Sequence, residues 1–98
     1  MAQQSRNAVA STYDIVPYPG SAHPQAHINR MAVMAILHGM VPTDLTTCRV
    51  LELGCGDGSH LIPMAMQLPG AQFVGIDISE MAIARATDVA QALELENV

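Results

Sequence analysis

The spacing of hydrophobic and polar residues varies along this 98-residue chain, and this variation predicts its helices and strands. From Pro24 onward, apolar residues recur at the 3, 4, 7 and 8 offsets that mark one face of a helix. Pro24 suits the first turn of this helix, and Gly39 suits a left-handed residue that ends it. The face predicted to be buried contains Ile28, Met31, Ala32, Ala35 and Ile36.

Two short apolar runs further along the chain predict strands, each followed by a helix. Arg49 to Leu53 is bounded by loop residues, and Gln72 to Asp77 has β-branched and aromatic residues at its centre. A helix is predicted over about Ser59 to Leu68, and Ser79 is predicted to cap a last helix that runs to about Leu95. The order helix, strand, helix, strand, helix predicts an α/β fold, namely an incomplete Rossmann-like, doubly wound parallel sheet.

The first 23 residues differ from the rest of the chain. Residues 1–12 are polar and Ala-rich without clear periodicity, which predicts a frayed terminus. Tyr13 to Gly20 contains two prolines and predicts an extended segment entering a turn. The chain is therefore divided into a partly disordered leader over 1–23 and the N-terminal part of a Rossmann-like domain over 24–98.

Composition and charge narrow the range of partners. The net charge is -5, the chain has no lysine, and its four arginines are scattered, which argues against binding to a nucleic-acid backbone. The longest unbroken apolar stretch, Met31 to Leu37, is far shorter than a membrane span. Cys48 and Cys55 fit neither a metal knuckle nor a disulfide framework. We expect reduced thiols in a cytoplasmic protein that has no membrane or nucleic-acid partner.

Three glycines follow the first predicted strand, at the position where α/β sheets bind ligands. Gly54, Gly56 and Gly58 lack a Cβ, so they permit positive φ angles and the close approach of a ligand to the backbone. Asp77 ends the second strand, where a carboxylate can accept the hydroxyl protons of a ribose. This combination predicts a site for a nucleotide-containing cofactor, and a tight turn without ligand stays open as the alternative.

The residues of the turn distinguish between kinds of cofactor. Gly58 to His60 lacks the lysine of a Walker P-loop, and the sixth position counted from Gly54 is Ser59 rather than a dinucleotide glycine. A pyrophosphate would be repelled by Asp57 and Glu52, by about a few kcal/mol in a partly dry site. S-adenosylmethionine has a sulfonium, an ammonium and a ribose but no phosphate, and it fits better. An NAD-type oxidoreductase and a noncatalytic interaction module stay open as alternatives.

Two stretches resemble a known family. VLELGCGDGSHLIPMAMQLPGAQFVGIDIS resembles motifs I and II of class I S-adenosylmethionine-dependent methyltransferases. YDIVPYPGSAHPQAHINRMAVMAILHGM resembles the leader of bacterial methyltransferases that carry a regulatory domain downstream. The resemblance implies methyl transfer to an acceptor that the sequence does not identify. It also implies that the remaining strands, the catalytic residues and any regulatory domain lie beyond Val98.

The resemblance implies roles for individual residues. The glycine turn would lie against the methionine portion of S-adenosylmethionine, and Glu52 would help to hold its ammonium. Asp77 would bind the ribose hydroxyls, and Ile78 would pack on the adenine. The implied cofactor-binding residues are Glu52, Gly54, Cys55, Gly56, Gly58, Asp77 and Ile78.

The sequence leads to four further expectations. His23 and His27 are spaced four apart but lack an evident third ligand, so no metal site is predicted. Tyr13 and Tyr18 either close over the cofactor or pack on the sheet. Two strands alone leave unpaired edges, so the isolated chain is expected to be marginally stable or to self-associate. Four methionines are predicted to lie in the core: Met31, Met34, Met64 and Met66.

Overall fold

The computed structural model describes residues 2–17 and 19–98. Tyr18 lies outside the described residues, and so does the expectation that it closes over a cofactor. The helices are α1 (Ala2–Ile15), α2 (Ile28–Leu37), α3 (Leu61–Gln67) and α4 (Glu80–Ala92), the strands are β1 (Arg49–Leu53) and β2 (Gln72–Ile76), and a 3-10 turn spans Pro24–Ala26.

Within the described residues, β1 and β2 form a two-stranded parallel sheet, with α3 in the crossover between them. Arg49 pairs with Gln72 and Leu53 pairs with Ile76, so both strands end at the same edge of the sheet. The bounds of β1 match the prediction, and β2 stops one residue early, which leaves Asp77 directly after the strand. The predicted incomplete, Rossmann-like α/β fold is confirmed.

The core lies on one face of the sheet, and the other face is exposed. Phe73 of β2 is buried in one cluster with side chains of α3. On the opposite face, four apolar side chains have 52–75% of their surface exposed. We call this set the open sheet face, and it consists of Leu51, Leu53, Val74 and Ile76.

Asn97 fastens the end of the chain to the core. Its side-chain Nδ2 lies 3.0 Å from the carbonyl oxygens of Ala65 and Leu68 and 3.1 Å from that of Ala71. Its own carbonyl accepts the N–H of Phe73 at 2.8 Å. A buried amide with these partners is satisfied, so Asn97 links α3 to the start of β2.

The expectation of a frayed terminus over 1–12 is wrong for residues 2–12, because they belong to α1. Alanine has the highest helix propensity, and the sequence of α1 is rich in it. Helix α1 contacts α4, and the Asp14 carboxylate accepts the hydroxyl proton of Ser79. The extended segment predicted from Tyr13 therefore begins only after Ile15.

The helix termini are set by local capping. Pro24 begins the 3-10 turn, and α2 starts four residues later, where His27 Nδ1 accepts the N–H of Asn29 at 3.1 Å. Gly39 has a φ of 77° and ends this region as predicted. Ser79 caps α4 by accepting the N–H of Ala82 at 3.1 Å, also as predicted. Helix α3 begins two residues later and ends one residue earlier than predicted, and α4 ends about three residues earlier than predicted.

The apolar face predicted for α2 is largely exposed. Ile28 is buried, but Met31 and Ile36 are exposed, because no part of the chain in residues 2–17 and 19–98 covers them. Met34 and Met66 are exposed too, so only Met64 of the four methionines lies in the core and the prediction for the others is wrong. Among the helices of the described ranges, none has both the length and the apolarity to cross a bilayer.

Candidate functional site

A cavity of about 710 Å³ opens at the carboxyl ends of β1 and β2. Its volume lies within the usual range for small-molecule sites. The glycine turn, the residues that follow β2 and the leader form its walls. Six of the seven predicted cofactor-binding residues line it, namely Glu52, Gly54, Cys55, Gly56, Asp77 and Ile78.

Gly58 has a different position from the other two glycines. It is not among the described residues that line the cavity. A Cβ on Gly58 would lie 2.8 Å from Cδ1 of Ile62 and 3.3 Å from the Cβ of Ala86. The φ of Gly58 is 78°, so both the backbone and the packing of α3 and α4 favour glycine here.

Gly56 places its backbone directly at the cavity. Its φ is 56°, and a Cβ built on it would meet no heavy atom of the described chain within 4 Å. Its N–H donates to Oδ2 of Asp77 at 2.8 Å. Glycine therefore leaves open space beside a backbone that is already fixed to the second strand.

The Asp77 carboxylate joins the glycine turn to the start of α4. While Oδ2 accepts from Gly56, Oδ1 accepts the N–H of Ser79 at 2.8 Å. The helix cap itself is Ser79, so capping is not the role of Asp77. An ionised carboxylate has about four acceptor positions, which leaves capacity for two ligand hydroxyls.

Glu52 carries an unpartnered acid group in the cavity wall. Its Oε2 is buried, and it has no hydrogen-bond partner among the described residues. Burial raises the pKa of Glu52, and nearby His60 and His23 oppose this effect. Because an unpaired buried carboxylate is unfavourable, the position favours a cationic donor from a ligand.

Cys55 is buried in the same turn, with its Sγ beside Gly75 of β2. Burial raises the pKa of the Cys55 thiol, and the acids Asp77 and Glu52 raise it further. A thiol that resists ionisation is a poor nucleophile. Cys55 therefore packs the turn against the sheet.

Asp57 has an internal role in the loop. Its Oδ1 accepts the Ser59 hydroxyl proton at 2.5 Å and the Ser59 N–H at 3.1 Å. The hydroxyl bond is the main factor that lowers the pKa of Asp57, to which Arg85 adds a smaller effect. The carboxylate therefore stays anionic and keeps the turn closed.

The leader closes one side of the cavity, partly through contacts of Gly20 and His23 that the sequence did not predict. A Cβ on Gly20 would overlap the Asp57 carboxylate and the Ser59 hydroxyl, so only glycine fits there. The N–H of His23 donates to Nδ1 of His60 at 3.1 Å. Tyr13 also lines the cavity, on the side of α1.

His23 and His27 do not share a helix face. His23 precedes the 3-10 turn, whereas His27 caps α2 and its Nε2 lies 3.0 Å from Oε1 of Gln67. In the part of the chain that the structure describes, no group of three or more His, Cys, Asp or Glu side chains is arranged to hold a metal ion.

A parallel βαβ unit with a glycine turn, an acid at the end of each strand and a cavity beside these ends defines an α/β ligand-binding domain. The family profile described as "Methyltransferase domain" matches residues 45–98. The chain belongs to this methyltransferase domain family. The resemblance to class I S-adenosylmethionine-dependent methyltransferases is thereby confirmed, while a downstream regulatory domain stays a prediction.

Known proteins are similar to most of the chain. An uncharacterised protein of Rickettsia prowazekii (strain Madrid E) is 36% identical over 86 residues, 88% of this chain and 16% of that protein. Magnesium-protoporphyrin O-methyltransferase of Rhodobacter capsulatus is 39% identical over 59 residues, 60% of this chain and 25% of that protein. PKMT2 from Rickettsia typhi, solved in complex with AdoHcy, matches at a TM-score of 0.78 and 29% identity, covering 84% of this chain and 16% of PKMT2. The chain thus spans 16–25% of these relatives.

Proposed function

We propose that the cavity binds S-adenosylmethionine and that the protein transfers its methyl group to an acceptor. S-adenosylmethionine is the methyl donor of the class I family. The observation that carries the proposal is the pair of acids at the strand ends. Glu52 has an unpartnered oxygen, and Asp77 is held in place by two backbone N–H groups.

The two acids would hold opposite parts of the cofactor. Glu52 would accept the ammonium, which satisfies its buried oxygen. Asp77 would accept the two ribose hydroxyls with the lone pairs that its bonds to Gly56 and Ser79 leave free. Ile78, which also lines the cavity, would pack on the adenine.

Alignment is the contribution that this part of the protein makes to the reaction. When bound, S-adenosylmethionine supplies a methyl group on a sulfonium sulfur, and transfer breaks this carbon–sulfur bond with the electron pair left on sulfur. Such a step depends mainly on proximity and orientation. The fixed turn and Asp77 set the position of the donor, and we assign no residue to the acceptor.

The two free, buried cysteines favour a reducing compartment, and we place the protein in the cytoplasm.

In a longer form of the protein, Asp77→Ala is expected to weaken S-adenosylmethionine binding by about 1.5–3 kcal/mol, as for lost hydrogen bonds to a charged group. The measurement is a ligand titration followed by NMR or calorimetry. Asp44→Ala is the matched control, because Asp44 accepts two bonds from Thr46 but lies outside the cavity wall formed by the described residues. Unchanged affinity in Asp77→Ala would remove Asp77 from the site.

Glu52→Gln is expected to weaken binding about tenfold or more at pH 7 and to flatten its pH dependence. Because burial raises the pKa of Glu52, the ligand-free acid takes up a proton at a pH above the ordinary value of 4.5. Ammonium binding needs the ionised form, so the affinity of the unsubstituted protein should fall as the pH drops through this raised pKa. The measurement is a cofactor titration across the acidic range for both proteins.

Glu52→Gln is expected to stabilise the ligand-free protein, although it weakens cofactor binding. A carboxyl group with a raised pKa in the folded state binds its proton more tightly there than in the unfolded chain. Folding is therefore penalised above the raised pKa, where the buried group is ionised. Glu52→Gln should raise the melting temperature of the ligand-free protein at pH 7, and the difference should vanish below pH 4.5. A lower melting temperature at pH 7 would contradict an unpartnered Glu52.

A further inference from the structure

Two histidines from distant parts of the chain meet at the Glu52 end of the cavity. His23 belongs to the leader, and His60 directly precedes α3. Their ring centroids are 5.7 Å apart with the planes tilted by 56°, and both side chains line the cavity together with Glu52. The site for the cofactor's ammonium therefore has imidazole groups beside it.

The backbone of His23 determines which nitrogen of His60 can donate. His60 Nδ1 accepts the His23 N–H at 3.1 Å, so this nitrogen carries no proton in that bond. A neutral imidazole that accepts at Nδ1 carries its proton on Nε2. His60 therefore has an N–H donor to offer to a ligand in the cavity.

The charge of the cofactor requires a donor at this place. The methionine portion of S-adenosylmethionine carries an ammonium and a carboxylate on the same carbon, so the carboxylate lies next to the group that Glu52 holds. Two neighbouring carboxylates repel each other unless a donor lies beside them. His60 and His23 are close enough to Glu52 to affect its pKa, whereas Arg85 acts on Asp57.

We infer that His60 binds the α-carboxylate of the cofactor's methionine through Nε2–H, and that the backbone N–H of His23 fixes the His60 ring for this role. The inference rests on the proposed function. In this arrangement, one end of the cavity holds both charged groups of the methionine portion. Glu52 takes the cation and His60 takes the anion.

The test compares two ligands that differ only in the carboxylate. S-adenosylmethionine and its decarboxylated form are titrated into the full chain by NMR, up to millimolar concentration. The unsubstituted protein should prefer the carboxylated ligand about tenfold or more, as for a charge-assisted bond. His60→Ala should abolish this preference and leave the affinity for the decarboxylated ligand unchanged.

Two controls separate recognition from folding. His60→Gln offers an N–H donor at a similar reach and should restore part of the preference. His38→Ala changes a histidine at the end of α2, outside the cavity wall of the described residues, and should change neither affinity. Arg6 also lines the cavity and is tested as the rival anion ligand with Arg6→Ala, which should keep the preference.

Several results would overturn the inference. Equal losses for both ligands in His60→Ala would make His60 structural, and a lost preference in Arg6→Ala would assign the carboxylate to Arg6. Equal binding of both ligands by the unsubstituted protein would show that the cavity does not recognise the carboxylate. The proposed function fails separately, when neither ligand nor 5′-methylthioadenosine binds the unsubstituted protein, and the inference then falls with it.

Discussion

Gly56→Val is expected to abolish S-adenosylmethionine binding while the chain keeps its fold. The φ of 56° disfavours a β-branched residue, so the substitution strains the turn and the N–H that donates to Asp77. The Cβ position lies in open space beside the cavity, so a side chain that starts there enters the volume available to the ligand. The measurement is a cofactor titration, with circular dichroism to follow the fold.

Gly39→Val is the matched control for this substitution. Gly39 has a φ of 77°, its Cβ position is also open among the described residues, and it lies at the end of α2. It should show a similar loss of stability and no loss of binding. If Gly56→Val binds the cofactor normally, the ligand does not approach the backbone at this turn.

The 98-residue chain is expected to be marginally stable or to self-associate, and to bind cofactor only weakly. We propose the open sheet face and the free strand edges as the cause, since exposed edges pair with other chains. Ordering about 98 residues costs on the order of 100 kcal/mol in conformational entropy, so an uncovered face removes burial that the fold needs. We also expect no methyl transfer by this chain alone. Sedimentation velocity and thermal melting measure the first two properties.

Leu53→Lys is expected to reduce the association, because Leu53 lies in the open sheet face with 75% of its surface exposed. Val41→Lys is the control: Val41 is 96% exposed but belongs to the loop after α2. Equal effects of the two substitutions would place the association elsewhere. A monomer that melts cooperatively above about 50 °C, as mesophile domains do, and binds cofactor at micromolar concentration would contradict the prediction as a whole.

The sequence predicted those helices, strands and caps that are determined by residues close together in the chain. β1 is a short apolar run between loop signals, and Ser79 caps α4 through a bond to a residue three positions away. The contacts that hold α1 and the chain end have no such local pattern. Asp14 meets Ser79 across 65 residues, and Asn97 reaches α3 across 32. Such contacts depend on how distant segments pack together. The spacing of apolar residues within one segment does not predict this packing.

The candidate site likewise contains residues that the sequence predicted and a contact that it did not predict. Glu52, Gly56 and Asp77 were predicted because they lie at the ends of the two strands and in the glycine turn, inside the stretch that resembles motifs I and II. The contact between His23 and His60 was missed, because a backbone N–H donates across 37 residues and any residue type except proline could supply it. The sequence singled out His60 only as the last residue of the stretch Gly58 to His60, which lacks the P-loop lysine.

The two backbone bonds to Asp77 have a consequence for the energetics of recognition. They hold the carboxylate in one orientation before any ligand arrives, because Gly56 and Ser79 donate to it from two separate segments. The entropy of ordering this acid is therefore lost on folding and not on association. Affinity for a ribose then depends on the backbone N–H groups of Gly56 and Ser79 as well as on the acid itself.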